Sequence, residues 1–311
     1  MRRRTFLATA AGSALAVPAV LSATASGTPR PAPLAAPRAA EPPPETWKEH
    51  WFEHSEELRL VDHNDAVALY FDSDVDPAAA EWLLPYLTSM WQYAQRTYGN
   101  DGNKMNADRL YSIHHEGKHS GGHPSTVYDE SHDFRNVSDV GGNDWTTPQY
   151  EIVTHETGHI VESIATGKHG SPAFGLWGDS KWMEFYIHDV YIGLGMDAEA
   201  QEFHDRMMAE DHVDDFPRAG THWYRDWFHP LWRDHGGAEV MVRYFGLLGE
   251  HFPTSGDDFA RDLNWGEFVH FTSGAAGEDL KELATAAFGW PDDWQRQFTA
   301  ARAEFPDVRY R

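Results

Sequence analysis

His155, Glu156 and His159 lie within one short run of the chain, Thr154–Ile160, in the pattern H-E-x-x-H. Residues four apart on an α-helix share one face, so two imidazoles at this spacing can bind one metal ion through their ring nitrogens. The glutamate between them would lie beside the metal, where it can accept a proton from water. This division of roles is what metal-assisted hydrolysis of an amide requires.

The residues around the motif predict the helix that it needs. Thr147 followed by Pro148 is typical of a helix start, with a side-chain cap and then proline at the first helical position. Gly167 is a plausible end. Between them the apolar residues would form buried faces: Ile152, Val153, Ile160, Val161 and Ile164.

A catalytic zinc ion usually has three protein ligands and one open position for water. The best candidate for the third ligand is Glu184, because it lies in the middle of a strongly apolar helix predicted to begin at Asp179 or Ser180. A carboxylate there is costly to bury unless it meets a charge. The alternatives are a pair with Lys181 at i+3, or Asp179 as the ligand. Glu162 shares the face of the two histidines but would reach poorly toward one ion.

The spacing of these residues resembles a known family. H-E-x-x-H followed some two dozen residues later by a helical glutamate is similar to the gluzincin metallopeptidases, the thermolysin-like superfamily. The stretch Trp182–Asp189 resembles the W-x-x-E helix of plant basic secretory proteins. The runs Ser273–Leu280 and Phe288–Pro291 resemble the tail of enhancin-type and mucin-degrading gluzincins. Together the similar motifs cover residues 150–291, with gaps.

The resemblance implies a zincin-like fold of two lobes with Zn²⁺ between them. It implies that His155, His159 and Glu184 hold the zinc and that Glu156 is the general base. The sequence departs from the thermolysin pattern where that family has an aspartate four residues after the ligand glutamate. Here that position is His188, and we expect the neighbouring Asp189 or His188 itself to take a supporting role.

An oxyanion beside the metal needs a hydrogen-bond donor. Tyr224 and His229 are the downstream candidates for this catalytic role, together with His222. The aromatic run 223–232 that contains two of them has two interpretations. Core packing of a helix is the favoured one, and an aromatic-walled cleft for glycans is the other.

Five histidines precede the motif helix in a stretch rich in glycine: His114, His115, His119, His123 and His132. We expect a loop or hairpin here, in which the histidines face solvent or form hydrogen bonds. A second metal site is the alternative. In a gluzincin-like arrangement this region would include an edge strand along the substrate cleft, and His123 or Tyr128 would then contact substrate.

The N-terminus predicts export. Arg3-Arg4 followed by an apolar stretch and Ala23-Thr24-Ala25 fits a twin-arginine signal peptide over residues 1–25. Residues 26–45 are rich in proline and alanine and predict a linker. Residues 46–311 are then a single catalytic domain, with a sheet lobe over 46–167 and a helical lobe over 168–311. No later stretch reaches membrane-spanning length, so we expect a secreted protein without an anchor.

Composition limits the partners. The chain has no cysteine, which excludes disulfides and a lipoprotein signal. The formal net charge of −24 disfavours nucleic acid and anionic membranes as partners. We expect a monomer that acts on protein or peptide substrates, glycoproteins included.

Hydrophobic patterns predict strands followed by helices, and therefore an α+β fold with a mixed sheet in the first lobe. The expected strands are Leu58–Val61, Val67–Phe71, Leu110–His114 and Thr126–Tyr128. Asp76 should cap a long helix over Pro77–Tyr98. The later helices are expected at the motif, at Glu184, and at Ala198–His212, Trp223–Arg233, Glu239–His251, Gly266–Phe271, Leu280–Phe288 and Asp292–Ala303.

The sequence therefore predicts an exported zinc metallopeptidase, an endopeptidase rather than an exopeptidase. Two other hypotheses fit the same residues. One is a non-catalytic secreted protein on a zincin scaffold that binds glycans or the cell envelope. The other is a zinc hydrolase of a non-peptide amide.

Overall fold

Strands precede helices along the chain, as the sequence predicts. The computed structural model describes residues 42–52, 54–99, 105 and 109–311. The predicted signal peptide and most of the predicted linker lie outside these residues. All of these described residues belong to one compact unit. Within the described part of the chain, no helix combines the length and apolar character needed to span a bilayer.

Six of the strands form one mixed sheet in the order β1-β2-β3-β4-β6-β5, where β3, β4 and β6 are parallel and the other pairs are antiparallel. A small hairpin holds the other two. The strands are β1 Thr46–Lys48, β2 Glu57–His63, β3 Val67–Phe71, β4 Leu110–Glu116, β5 Gly121–Ser125, β6 Asn136–Gly142, β7 Thr254–Ser255 and β8 Asp258–Phe259. Strand β5 therefore forms an edge of the large sheet.

The helices lie mostly after the sheet, which confirms the α+β class. They are α1 Ala80–Tyr98, α2 Tyr150–Ile164, α3 Phe174–Trp177, α4 Lys181–Gly193, α5 Asp197–Met207, α6 His229–Asp234, α7 Glu239–His251, α8 Trp265–Ala276, α9 Lys281–Phe288 and α10 Asp292–Glu304. The predicted cap before α1 is confirmed, since the Asp76 carboxylate accepts a hydrogen bond from the Ala78 backbone N–H at 2.9 Å.

The two faces of the sheet bury different cores, because side chains alternate along each strand. On the inner face, Leu69 and Val140 pack in the main core that also contains residues of α1, α2 and α4. On the outer face, Ile113 and Val137 pack in a smaller core with Trp47. The helix of the H-E-x-x-H motif lies on the inner face.

Several predicted elements need correction. Residues 126–128 are not a strand: Thr126 donates its backbone N–H and its hydroxyl to the Asp129 carboxylate at 2.8 and 3.0 Å, which fixes a turn. Strand β5 lies in the region predicted as a loop or hairpin, where the resemblance implies an edge strand, and β6 was not predicted. The motif helix begins at Tyr150 rather than at Pro148. The helix predicted to end at His212 ends at Met207.

Candidate metal centre

Helix α2 is held in place by close contact with α4. Trp182 on α4 donates its indole N–H to the Gly158 carbonyl oxygen at 3.1 Å. A Cβ atom at Gly158 would lie 2.3 Å from the Met183 sulfur, so the motif helix needs glycine at this position. Helices α2 and α4 carry most of the candidate site residues, and this contact sets the distance between the two helices.

The two motif histidines converge. His155 Nε2 lies 3.2 Å from His159 Nε2. Two nitrogens bound to one tetrahedral zinc ion at ordinary bond lengths would be about 3.3 Å apart. Burial and the neighbouring His159 lower the pKa of His155, which favours the neutral imidazole that binds metals.

Asp179 supplies a third ligand atom. Its Oδ1 lies 3.3 Å from His159 Nε2 and its Oδ2 lies 3.9 Å from His155 Nε2. Gly178, with a φ of 58°, turns the chain just before it between α3 and α4. His155, His159 and Asp179 form a metal group, which is one of the sets of described residues that could hold a metal ion.

Glu184, predicted as the third ligand, lies in none of the groups of described residues that could hold a metal ion, although it lines a cavity of about 310 Å³ together with His155. Its Oε1 lies 3.4 Å from His212 Nε2 and 3.7 Å from Lys181 Nζ. The Lys181 ammonium meets this oxygen of the buried carboxylate, whereas Oε2 has no hydrogen-bond partner among the described residues. The geometry therefore favours the two alternatives that the sequence offers. Lys181 is the partner of Glu184, and Asp179 is the candidate for the third ligand.

Glu156 lies beside the metal group, where the motif predicts a general base. It is buried, and burial raises the pKa of its carboxyl group to about 7, with Asp179 and Asp139 adding to the effect and His159 opposing it. The edge strand β5 reaches this carboxyl group. A Cβ atom at Gly122 would lie 2.6 Å from the Glu156 Cδ.

An open cavity of about 530 Å³ borders the site. Its lining includes Gly121 and Gly122 of the edge strand, and His155, Glu156 and Asp179 of the metal group. Glu156 and the edge strand therefore face the same space.

Glu162 supports the site in a way that the sequence analysis missed. Its Oε2 lies 3.5 Å from the Nδ1 atom of His159, the ring nitrogen that faces away from His155. Although burial lowers the pKa of His159, the hydrogen bond and charge of Glu162 raise it overall. Carboxylates in this position orient metal-binding histidines and increase their basicity. The i+3 spacing of His159 and Glu162 on one helix is the sequence pattern that predicts this contact.

The supporting role predicted for Asp189 is not what its contacts show. Its carboxylate accepts hydrogen bonds from the Tyr93 and Tyr98 hydroxyls, each at 2.8 Å, and from the Trp232 indole at 2.9 Å. Three donors from other helices satisfy this buried group within the core. The neighbouring His188 is also buried, and its ring lies 4.8 Å from that of Trp232.

The candidate oxyanion donors lie in a different cluster. The rings of Tyr224 and His229 are 5.4 Å apart, and the ring of His204 lies 4.9 Å from that of His229. Neither Tyr224 nor His229 lines the cavity beside Glu156, and neither does His222, which is buried. The structure therefore does not bring these three residues to the metal group. Their assignment to the oxyanion remains a prediction.

The five histidines before the motif are not simple loop residues. His114 and His115 lie on β4 and are fully buried, on opposite faces of the sheet. His123 on β5 is next to Gly122, so it points away from Glu156 and lies 3.2 Å from His132 through their Nε2 atoms. Tyr128 stacks on His169 with ring centroids 5.0 Å apart.

No family model matches the sequence. No curated protein matches it either.

Proposed function

We propose that the protein is a zinc-dependent peptidase whose catalytic centre is His155, Glu156, His159 and Asp179. The observation that carries the proposal is the convergence of two imidazole nitrogens and the two oxygens of one carboxylate, at separations of 3.2 to 3.9 Å, beside a buried glutamate. Three protein ligands and an open side are typical of catalytic rather than structural zinc sites.

The donor set fits zinc. Two imidazoles and one carboxylate match the ligands that zinc takes in hydrolases, and the site contains no thiolate because the chain lacks cysteine. Zinc held by His155, His159 and Asp179 would supply the Lewis acidity that makes water nucleophilic near neutral pH. The exposed Asp179 lies on the solvent side of the group, where a ligand can adjust its position.

Glu156 performs the proton transfers in this proposal. Its carboxylate accepts a proton from the attacking water at one Oε atom and passes it to the nitrogen of the leaving amine. A pKa near 7 suits both steps, because the group can gain and lose the proton at neutral pH.

The position of the edge strand supports a peptide substrate. One side of β5 pairs with β6, and β5 forms the end of the sheet beside the cavity. An extended peptide can add to such an edge through backbone hydrogen bonds, which position its carbonyl groups without a requirement for one side chain. An edge that binds extended backbone favours an endopeptidase over an enzyme for small amides.

The packing of the aromatic run favours a peptidase over a glycan-binding protein. Trp223 and Trp227 are fully buried, so they cannot form the walls of an open glycan cleft. Their side chains belong to the main core, as the favoured interpretation of that run predicts. We further propose that the peptidase is exported by the twin-arginine route, since Arg3 and Arg4 precede an apolar stretch.

The test of this function is hydrolysis of a peptide library by the zinc-loaded protein and by Glu156→Gln. We expect the variant to keep its zinc and to lose hydrolysis by at least a factor of about 100. Glu239→Gln on α7 is the matched control, because this exposed glutamate pairs only with Arg243 at 3.9 Å among the described residues, and it should leave the rate unchanged. Equal rates for Glu156→Gln and the control would remove Glu156 from the mechanism.

A further inference from the structure

The outer face of the large sheet carries a second cluster of histidines and carboxylates. Its members are Glu49 and His54 from the segment that follows β1, His115 from β4 and Asp139 from β6. This cluster lies on the face opposite to α2, because His115 and Asp139 lie two residues after Ile113 and Val137 of the outer core and therefore share their face of the sheet. It contains none of the residues of the proposed catalytic centre.

We propose that Glu49, His54, His115 and Asp139 bind a second divalent metal ion, which fastens the N-terminal segment to the sheet. The ion expected from two imidazoles and two carboxylates is zinc or a divalent transition metal of similar size. The proposal does not depend on the peptidase function.

The distances suit four ligands of one ion. His115 Nε2 lies 3.0 Å from Glu49 Oε1 and 3.1 Å from Asp139 Oδ1. His54 Nδ1 lies 3.2 Å from Asp139 Oδ2 and 3.7 Å from Glu49 Oε1. Ligands of a tetrahedral zinc ion are about 3.3 Å apart, so these separations bracket the expected value.

Three of the four side chains, those of Glu49, Asp139 and His115, are also fixed by a contact outside the cluster. Glu49 Oε2 accepts a hydrogen bond from the Glu56 backbone N–H at 3.0 Å. Asp139 Oδ2 accepts one from the Trp51 indole at 3.0 Å. Partners of this kind fix the orientation of metal ligands.

The arrangement of His115 is especially close to that of a metal ligand. Its Nδ1 lies 2.8 Å from Asp72 Oδ2, which forms the carboxylate–histidine pair found behind many metal-bound imidazoles. The Lys118 ammonium lies 3.4 Å from the same Asp72 oxygen and holds this carboxylate in turn. The Nε2 atom is therefore the one that His115 presents to the cluster.

The atoms that converge are buried and lack aligned partners. The side chains of Glu49 and His115 are fully buried, and that of Asp139 is 1 % exposed. Glu49 Oε1, His54 Nδ1 and His115 Nε2 have no aligned hydrogen-bond partner among the described residues. A buried polar atom without a partner is destabilising, and a shared cation would satisfy all three atoms at once.

The cluster has the charge that a divalent ion requires. Glu49 and Asp139 bring two carboxylates into a buried space. Burial of such groups is costly unless a positive charge meets them, and one divalent cation carries the charge that would neutralise both.

Burial distinguishes the proposed ligand set from a neighbouring one. His119 and Glu56 form a neighbouring group with His115, and their nearest atoms are 3.2 Å apart. Both side chains are more exposed than Glu49 and Asp139. In the proposed set Glu49, His115 and Asp139 are buried and His54 is partly buried. Four protein ligands leave no position for substrate, which is typical of a structural site.

The experiment is metal analysis of the full chain after it has been supplied with zinc. We expect about two zinc ions per chain in the wild type and about one in His115→Ala. About one is also expected in the double variant His155→Ala/His159→Ala, which lacks the proposed catalytic ligands. His63→Ala, at an exposed histidine on β2, should keep both ions. Zinc content equal to wild type in folded His115→Ala would overturn the proposal.

A titration avoids any effect of His115→Ala on folding. The metal-free double variant His155→Ala/His159→Ala keeps the outer cluster intact. Added Zn²⁺ should bind with a stoichiometry near one and raise the thermal unfolding temperature. Absence of zinc uptake by this folded variant would overturn the proposal. If only the second site fails to bind zinc, the proposed peptidase function is unaffected.

Discussion

Gly122 on the edge strand lies directly against the carboxyl group of Glu156, so closely that a single added methyl group would fall 2.6 Å from the Glu156 Cδ. The contact joins the sheet to the motif helix at the residue proposed to transfer protons. It also buries that residue, which raises the pKa of its carboxyl group.

Gly122→Ala should therefore reduce hydrolysis without loss of zinc. The new methyl group would displace Glu156, and displacement of a catalytic group by about 1 Å can lower the rate by roughly 100-fold. The measurement is kcat together with zinc content. Gly246→Ala is the matched control, since a Cβ atom there meets no described atom within 4 Å. An unchanged kcat in Gly122→Ala would mean that this contact does not position Glu156.

Asp179→Ala should weaken zinc binding at the catalytic centre more than Glu184→Ala does. Asp179 has an oxygen 3.3 Å from His159 Nε2, whereas Glu184 is compensated by Lys181 and His212. The measurement is zinc affinity by competition with a chelator, in a His115→Ala background so that only one site is observed. A larger loss of affinity in Glu184→Ala would restore the ligand that the sequence predicts.

Glu162→Gln should lower zinc affinity by roughly 10- to 100-fold, because the charge that orients His159 and raises its basicity is lost. The variant keeps the size of the side chain, so large unfolding is not expected. Titration with zinc at constant pH measures the change. Zinc affinity equal to that of the wild type would show that Glu162 only fills space.

The metal-free protein should lose stability as the pH rises through neutrality, in part because of Glu156. The folded pKa of about 7 is above the ordinary value of 4.5, so the stabilisation is complete below pH 4.5 and is lost as the pH approaches and passes 7. The shift corresponds to about 3 kcal/mol. Urea unfolding of metal-free wild type and Glu156→Gln at pH 5 and pH 8 isolates this contribution. The same pH dependence in both proteins would contradict it.

Regular hydrophobic patterns made much of the fold predictable. Helix α7 has the predicted bounds Glu239–His251, and strand β3 has the predicted bounds Val67–Phe71. Strands β5 and β6 were missed for physical reasons. Gly121–Ser125 has almost no strand-forming side chains, and Asn136–Gly142 is buried although it looks polar. Their pairing depends on tertiary contacts that a local pattern does not contain.

The candidate site was predictable only where one helix determines it. The i, i+4 spacing was enough to place His155 and His159 together. The proposed third ligand lies outside that helix. The position of Glu184 in an apolar helix predicts metal binding at Glu184 instead. The turn at Gly178 that directs Asp179 toward the histidines depends on the backbone conformation, as does the contact between Glu184 and His212. Neither could be inferred from residue types.

The most direct test of the account is restoration of activity to metal-free protein by zinc. Hydrolysis of a peptide library should be absent without metal, return as zinc fills the site at His155, His159 and Asp179, and stay absent in His155→Ala/His159→Ala at every zinc concentration. Peptide hydrolysis by that double variant at the wild-type rate would contradict the central claim.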